Sequence, residues 1–163
     1  MSDRSKYVTA KSTTVDGGNM NKHGPQFAID NKKVAIGKEV KTFLSTRDMK
    51  APWIEVELTE MVTISGLEVI PLRTGNRYFQ KVQIRGGPTS LSAQQDDKSW
   101  TVDTSQTFFA KYLGPHSTNG EIIYISLHQA FAAKFVSFQS ELTSIGSISL
   151  SLNEVKFLQG KIK

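Results

Sequence analysis

Alternation of apolar and polar residues with a period of two is the feature that most constrains this chain. In 53–58, isoleucine, valine and leucine alternate with Glu55 and Glu57. Because successive side chains of a strand point to opposite faces, this pattern predicts a strand with its apolar face on a core and both glutamates in water. The further segments predicted as strands, by alternation or by β-branched residues, are 62–72, 81–85, 121–127, 134–139 and 147–152.

Turn-forming residues separate these segments, and no stretch of ten or more residues has the helical period. A single helical turn is the most that we expect in 32–41 and in 127–133. Glycine, proline and asparagine cluster at 16–19, 23–25, 74–76, 86–88 and 114–115. Many short strands separated by turns predict an all-β fold, an antiparallel β-sandwich or barrel.

The length and composition predict a single domain. The chain has 163 residues, with 20 lysines and arginines against 15 aspartates and glutamates and no cysteine. A domain spanning 1–163 can bury a substantial core. The lack of cysteine excludes disulfide scaffolds, thiolate metal sites and cysteine nucleophiles. The net charge of +5 is spread along the chain, so we expect no nucleic-acid partner.

Two interruptions of the alternation predict β-bulges. The apolar residues Val62 and Ile64 are even-numbered, but the next one, Leu67, is odd-numbered, so the inward face switches near 65–66. A second switch falls at 153–154. A bulge shifts the register by one residue and re-aims nearby groups. At 153–154 the switch coincides with a carboxylate, so that bulge is open to a twist-correcting or a functional role.

The sequence contains no recognisable catalytic motif. Its three histidines are far apart, and it has neither a glycine-rich phosphate loop nor a nucleophile elbow. We therefore expect a protein without enzymatic activity. No apolar run is long enough to span a membrane, and residues 1–10 lack the apolar stretch of a signal peptide. The chain is then either cytosolic or an extracellular protein from which a leader has been removed.

Two polar segments, 42–52 and 72–80, combine basic and aromatic residues. If 53–58 and 62–72 pair as antiparallel neighbours around a turn at 59–61, the two polar segments lie at the same end of the sheet. The candidate ligand-binding residues in them are Arg47, Arg73, Asn76, Arg77 and Tyr78.

The chemistry of these two segments suits a sugar or an anionic head group. Arginine supplies a rigid fork of donors for hydroxyls, and an aromatic ring supplies an apolar face. The alternative is that the arginines are ordinary solvated charges and that Phe79 belongs to the core.

Seven short segments, in a fixed order, carry a family resemblance: 27–30 (FAID), 52–58 (PWIEVEL), 62–67 (VTISGL), 81–84 (KVQI), 98–102 (KSWTV), 133–136 (AKFV) and 150–155 (LSLNEV). This ordered set resembles the discoidin, or coagulation-factor C-type, domain of the galactose-binding-like superfamily. The resemblance implies an antiparallel jelly-roll β-sandwich of about eight strands, with ligand-binding loops at one end.

Within that superfamily the chain is similar to the F-type lectins, whose site uses a histidine, an Arg-x-Asp motif and a further basic residue. At the family's spacing these positions fall on Thr46, Arg73, Gly75 and Gln80, so one of the four matches. Lys81 lies one place beyond the last. The resemblance adds Thr46 to the candidate ligand-binding residues and implies a glycan site in the same loops with different chemistry.

The same resemblance implies a structural calcium ion. Asp30 and Glu154 occupy the two carboxylate positions of the lectins, and backbone carbonyls would come from Phe27, Lys32 and Asn153. Two carboxylates with several carbonyls suit a hard cation that takes six to eight oxygen ligands. Lysine in this segment opposes a bound cation. The alternative is that the aspartate caps a turn and the glutamate lies on the surface.

We therefore expect a lectin-like carbohydrate-binding domain with glycans or glycoconjugates as partners. Sugar affinity per site is weak because hydroxyls exchange water for protein donors at little net gain. Useful binding then needs several sites, and we expect a homo-oligomer.

Three alternatives stay open. A phospholipid-binding domain would present 43–44, Met49 and Phe79 as apolar tips to an anionic membrane surface. A protein–protein interaction module of the same fold is favoured by the missing leader and cysteines. A module attached to a glycosidase would need a catalytic partner outside this chain.

Overall fold

The computed structural model describes residues 7–12, 15, 18–32, 41–45, 52–71, 79–92, 102–114, 122–141 and 150–160. Its elements are β1 (Tyr7–Ser12), helix α1 (Met20–His23), a 3-10 turn (Pro25–Ala28), β2 (Phe43–Leu44), β3 (Trp53–Ile70), β4 (Val82–Gly87), β5 (Thr107–Tyr112), β6 (Ile123–Ser140), β7 (Ser151–Leu152) and β8 (Glu154–Gln159). Neither helical element in these ranges is long enough to cross a membrane.

Antiparallel pairing organises all the described strands. The main sheet has the order β1-β3-β6-β4-β5, and β8 pairs with the second half of β3. The short strands β2 and β7 form a separate pair. The predicted all-β, antiparallel β-sandwich is confirmed.

The longest strands, β3 and β6, differ from the prediction. The sequence analysis expected 53–58 and 62–72 to pair with each other around a turn, and this is wrong. Residues 53–58 and 62–70 belong to the single strand β3, and both stretches pair with β6. Between Glu57 and Val62 the register shifts relative to β6, so the residues in between form an irregularity rather than a chain reversal. Alternation shows that a segment is a strand but does not identify its partner.

The helical turn expected in 127–133 is also wrong, because these residues lie within β6. The alanines of this stretch favour a helix, but pairing of Phe131 with Ile64 and of Ala133 with Val62 holds it in the sheet. The predicted strands 121–127 and 134–139 are therefore parts of one strand. Most of 32–41, the other expected helical turn, lies outside the described residues.

The core lies on one face of the main sheet. The inward residues predicted from the alternation are buried in it, including Ile54, Val56, Ile84, Val136 and Phe138, each with 0% of its surface exposed. They pack with side chains of the second half of β3 and of β7 and β8, such as Leu67, Leu152 and Val155.

On the opposite face of the main sheet, the burial of the glutamates differs from the prediction. Glu55 was expected in water but is 1% exposed, and Glu57 is half-buried. Residues that follow β4 and precede β5 cover this face, since Leu91 and Gln106 both donate hydrogen bonds to Glu55. On β7, Ser151 is also buried.

The bulge predicted near 65–66 is present, but the one predicted at 153–154 is wrong, because the chain passes there from the β2–β7 pair to the main sheet. The register of β3 shifts between Ile64 and Gly66 against both of its neighbours. A Cβ at Gly66 would lie 3.0 Å from the carbonyl oxygen of Ile125, so glycine permits the close approach of the strands there. Asn153 separates β7 from β8 at the second interruption.

Candidate functional site

One end of the main sheet brings together the residues that follow 46–51 and 72–78. The N–H of Ser140 donates to the carbonyl of Pro52 at 2.9 Å, and the N–H of Glu141 donates to the carbonyl of Lys81 at 2.8 Å. Pro52 and Lys81 are thus bonded to consecutive residues at the end of β6. The sequence analysis expected the segments 42–52 and 72–80 at one end of a sheet; Pro52 is the last residue of the first segment, and Lys81 follows the second.

The residue before 46–51 contacts the residue after 142–149. Ser45, which precedes 46–51, donates its N–H to the carbonyl of Leu150 at 2.9 Å and accepts the N–H of Leu150 on its hydroxyl at 2.9 Å. The segments 46–51 and 142–149 are therefore joined at one flank through Ser45 and Leu150 and at the other near Pro52. We call this region, with Lys81 and Glu141, the loop end of the sandwich.

The predicted ligand-binding residues lie, in the sequence, between Ser45 and Pro52 and between Pro71 and Phe79. They lie outside the described residues: Thr46, Arg47, Arg73, Asn76, Arg77 and Tyr78. The last position of the lectin pattern, Gln80, is half-buried, and Lys81, one place beyond it, is exposed. Lys81 has a φ of 48°, which is unusual for a residue with a side chain, and its N–H donates to the carbonyl of Leu113 at 3.0 Å.

A charged cluster at the loop end was missed by the sequence analysis. The carboxylate of Glu141 pairs with the ammonium of Lys111 and accepts a hydrogen bond from the amide of Gln83. Partial burial raises the pKa of Glu141, but these two hydrogen bonds and the positive charges of Lys111 and Lys81 hold the pKa below its ordinary value. These residues come from three strands, so no local pattern links them.

The aromatic residues next to the loop end are packed inward. Phe79 is fully buried, and its ring centroid lies 5.4 Å from that of Tyr112. Burial raises the pKa of the Tyr112 hydroxyl. Leu113 is a large apolar side chain that stays exposed at this end, with 66% of its surface accessible.

These positions correct the membrane alternative of the sequence analysis. Phe43 and Phe79 were offered as apolar tips for a lipid surface, but both are 0% exposed and belong to the core. Leu44 is half-buried, and Met49 lies outside the described residues. The lipid-binding role proposed for Phe43 and Phe79 is therefore wrong.

The segment expected to hold calcium forms a tight turn beside the core. The N–H of Lys32 donates to Oδ1 of Asp30 at 2.9 Å, so the aspartate closes a short turn. Asn31, inside this turn, has a φ of 65°, a left-handed conformation that asparagine tolerates. The preceding 3-10 turn packs against β8, which begins at Glu154.

Buried oxygen atoms lie at the start of β8. Glu154 and Asn153 are each 1% exposed, and Oδ1 of Asn153 accepts no hydrogen bond from the described part of the chain. Among the described residues, no three acidic, histidine or cysteine side chains lie close enough to hold a metal ion. Backbone carbonyls would have to supply the remaining ligands, as Ca²⁺ permits.

Comparisons with known proteins give similarity in structure only. No protein-family model matches the sequence, and no curated protein matches it. A fucose-binding module of Streptococcus pneumoniae superposes with a TM-score of 0.70 at 15% identity, covering 99% of this chain and 100% of that one.

Two further structures are similar over most of this chain. The fucolectin, an F-type lectin, from striped bass (Morone saxatilis) serum has a TM-score of 0.69 at 15% identity and covers 94% of this chain but 47% of its own. This chain thus spans about half of that lectin. The family 32 carbohydrate-binding module of C. perfringens NanJ, solved with galactose, has a TM-score of 0.63 at 17% identity, with 94% of each chain covered. The chain has the discoidin-like, galactose-binding fold.

Proposed function

We propose that this protein is a non-enzymatic carbohydrate-binding domain with its glycan site at the loop end. The observation that carries the proposal is the pair of hydrogen bonds from Ser140 to Pro52 and from Glu141 to Lys81. These bonds support the proposal because Pro52 and Lys81, which come after the arginine-bearing segments 46–51 and 72–78 in the sequence, flank the end of β6. The neighbours in structure support the same function, because their names describe modules that bind fucose or were solved with galactose.

The proposed binding chemistry is that of hydroxyl recognition by fixed donors. Arg47, Arg73 and Arg77 would donate to sugar hydroxyls, and Tyr78 would pack against the ring face. The exposed ammonium of Lys81 adds a donor at the same end. Each site binds weakly because hydroxyls exchange water for protein donors. We therefore also propose that the protein presents several sites as a homo-oligomer.

A glycan array followed by calorimetry on the best ligand tests this function. Substitution Arg73→Ala is expected to weaken binding at least about tenfold, roughly 1.4 kcal/mol. Arg73→Lys separates the planar fork of donors from charge alone. The matched charge control is Lys156→Ala on β8, which removes a lysine that pairs with Glu68 at 3.7 Å.

The test compares glycan binding by the Arg73→Ala and Lys156→Ala proteins with binding by wild type. Loss of binding in Arg73→Ala with normal binding in Lys156→Ala supports the proposal. Wild-type protein that binds no glycan of the array, or Arg73→Ala protein that binds as well as wild type, contradicts it.

We also propose a structural calcium ion held by Asp30, Glu154 and the carbonyls of Phe27, Lys32 and Asn153. The buried carboxylate of Glu154 and the buried amide oxygen of Asn153 support the proposal. The ion would tie the 3-10 turn to β8, and it would supply no catalytic chemistry.

Thermal unfolding with calcium and with a chelator tests the metal site. A ligand that binds only the folded state raises its stability by about 2.7 kcal/mol at a hundredfold excess over Kd. Asp30→Asn is expected to abolish this rise. The matched control is Asp103→Asn, because Asp103 closes a similar turn by accepting the N–H of Ser105 at 2.8 Å. An unfolding temperature that calcium leaves unchanged in wild type refutes the site.

A further inference from the structure

A groove crosses the outer face of the main sheet, on the side opposite to the core. Its floor is formed by paired residues of three adjacent strands, Thr9 on β1, Glu57 on β3 and Phe135 on β6, and Gly87 on β4 continues this row beyond the floor. Directly opposed residues of antiparallel strands project to the same face. Three interstrand spacings of about 4.8 Å make the row roughly 14 Å long.

The wall of the groove is built on the next row of the sheet. Lys11 and Glu55 form this row, and Ser90 reaches over it from the segment after β4. The resulting cavity has a volume of about 170 Å³ and is lined by Thr9, Lys11, Glu55, Glu57, Ser90 and Phe135. It is separate from the loop end, because none of these residues belongs to that region.

The buried carboxylate of Glu55 holds the wall in one geometry. Its Oε1 accepts the hydroxyl of Ser90 at 2.6 Å and lies 3.3 Å from the ammonium of Lys11. Its Oε2 accepts the N–H of Leu91 at 2.7 Å and the amide of Gln106 at 2.8 Å. Four donors thus fix one carboxylate, and that carboxylate fixes the segment that bears Ser90.

A second layer of hydrogen bonds supports this arrangement. Gln106 also donates to the carbonyl of Thr89 at 3.0 Å and accepts the hydroxyl of Ser137 at 2.7 Å. Gln139 donates to the carbonyl of Asp103 at 3.0 Å. A binding wall held by such contacts is preorganised, which lowers the entropy lost when a ligand binds.

The open part of the groove offers the groups that a sugar ring needs. Phe135 is half-buried and gives an apolar surface, Thr9 is exposed and gives a hydroxyl, and the half-exposed ammonium of Lys11 is a donor. The carboxylate of Glu57 is an acceptor and lies 3.6 Å from the ammonium of Lys134. Apolar surface with a few convergent polar groups is typical of small-molecule sites.

The balance of charges selects a neutral ligand. The groove contains two carboxylates, Glu55 and Glu57, and each has a lysine partner, Lys11 and Lys134. Neither a strongly anionic nor a strongly cationic ligand gains from such a site. We propose that this groove is a second carbohydrate site, which binds one ring of a neutral oligosaccharide on Phe135 independently of the loop end.

Gly87 provides a way to block the groove without disturbing the sheet. A Cβ at Gly87 would meet no atom within 4 Å, and its φ is not in the left-handed region. The position pairs with Phe135, so a larger side chain there occupies the space beside the ring. The β-branched substitution Gly87→Val also suits a strand.

The experiment is a titration of backbone amide NMR signals with galactose, fucose and the tetramers of glucose and of N-acetylglucosamine. Groove binding is expected to shift the amides of Thr9, Glu57 and Phe135, whereas binding at the loop end shifts those of Lys81 and Glu141. Gly87→Val and Glu57→Gln are each expected to weaken groove binding at least tenfold and to leave the loop-end shifts unchanged.

The matched control for Glu57→Gln is Glu68→Gln. Glu68 lies on the same strand, and its carboxylate is 3.7 Å from the ammonium of Lys156, but it does not line the groove. This control is expected to bind as wild type does. Should Gly87→Val fail to fold, Glu57→Gln carries the test, because its half-exposed side chain is replaced by one of the same shape.

Each result of the titration either supports or overturns the second carbohydrate site. Shifts only at the loop end, shifts at neither place, or groove shifts that both variants leave unchanged overturn the second site. Shifts at the groove that the two variants abolish support it, and they do so even if the loop end stays silent and the proposed function there fails.

Discussion

The two faces of the main sheet are both buried near its centre, but by different chemistry. On the inner face Val56, Val136 and Phe138 pack in an apolar core. On the outer face Glu55 and Ser137 are equally buried, yet each is hydrogen-bonded to Gln106. Alternation along a strand therefore shows which face meets an apolar core and leaves open whether the polar face meets water.

The largest effect that tests this comparison is expected on the inner face. Phe138→Ala removes a fully buried ring that stacks on Phe157 at 6.5 Å between centroids. We expect the free energy of unfolding, measured with urea, to fall by about 3–5 kcal/mol, since the cavity adds to the lost apolar burial. A loss below about 1 kcal/mol would show that the inner face is not the core.

The next effect is expected at Glu55 on the outer face. Glu55→Ala leaves the donors of Ser90, Leu91 and Gln106 without their acceptor in a buried position. We expect urea unfolding to show a loss of about 3 kcal/mol, because unsatisfied buried donors are costly.

Glu55→Leu distinguishes the effect of losing the hydrogen-bond acceptor from the effect of losing side-chain packing. Leucine fills part of the volume but accepts no hydrogen bond, so it is expected to be as destabilising as alanine. If leucine restored wild-type stability, the outer face would behave like a second apolar core, and the contrast between the two faces would fail.

A smaller, pH-dependent effect is expected at Glu141. Because its pKa is held below the ordinary value of 4.5 in the folded state, its contacts stabilise the protein above that pH. This stabilisation is lost as the pH falls through the lowered folded pKa. The difference in unfolding free energy between wild type and Glu141→Gln, about 1 kcal/mol or less, should be present at pH 7 and smaller at pH 3, because the pKa of Glu141 is lowered in the folded state. A difference that is the same at both pH values contradicts this account.

The smallest effects are expected at the half-exposed pairs on β3. Glu57→Gln and Glu68→Gln should each change the free energy of unfolding by less than about 1 kcal/mol, because partly solvated ion pairs contribute little. Their carboxylates lie 3.6 and 3.7 Å from the paired ammonium groups, so the two variants are well matched. If Glu57→Gln alone lowered the free energy of unfolding by several kcal/mol, Glu57 would stabilise the fold, and weaker groove binding in this variant would reflect loss of structure.

Much of the fold could be predicted from local pattern. The inward positions Ile54, Val82 and Val136 and the register shift at Gly66 are all present in the structure. These features depend on side chains within a few residues of each other, which is the range over which alternation is informative. The resemblance to the discoidin domain named the fold that the comparisons of structure show.

Other features could not be predicted because they depend on distant residues. Glu55 is buried by Leu91 and Gln106, which lie 36 and 51 positions further along the chain. The cluster at Glu141 joins strands β4, β5 and β6. For the candidate site, the sequence offered the basic segments, but the structure was needed to show that Pro52 and Lys81 flank the end of β6 at Ser140 and Glu141.

The sequence by itself determined the strands and the side of each that faces a core, since side-chain direction in a strand follows from backbone geometry. Only the tertiary structure decided which strands pair, which polar side chains are covered and which chain ends meet. Those outcomes arise from contacts between residues far apart in the chain, and a local pattern carries no information about such contacts.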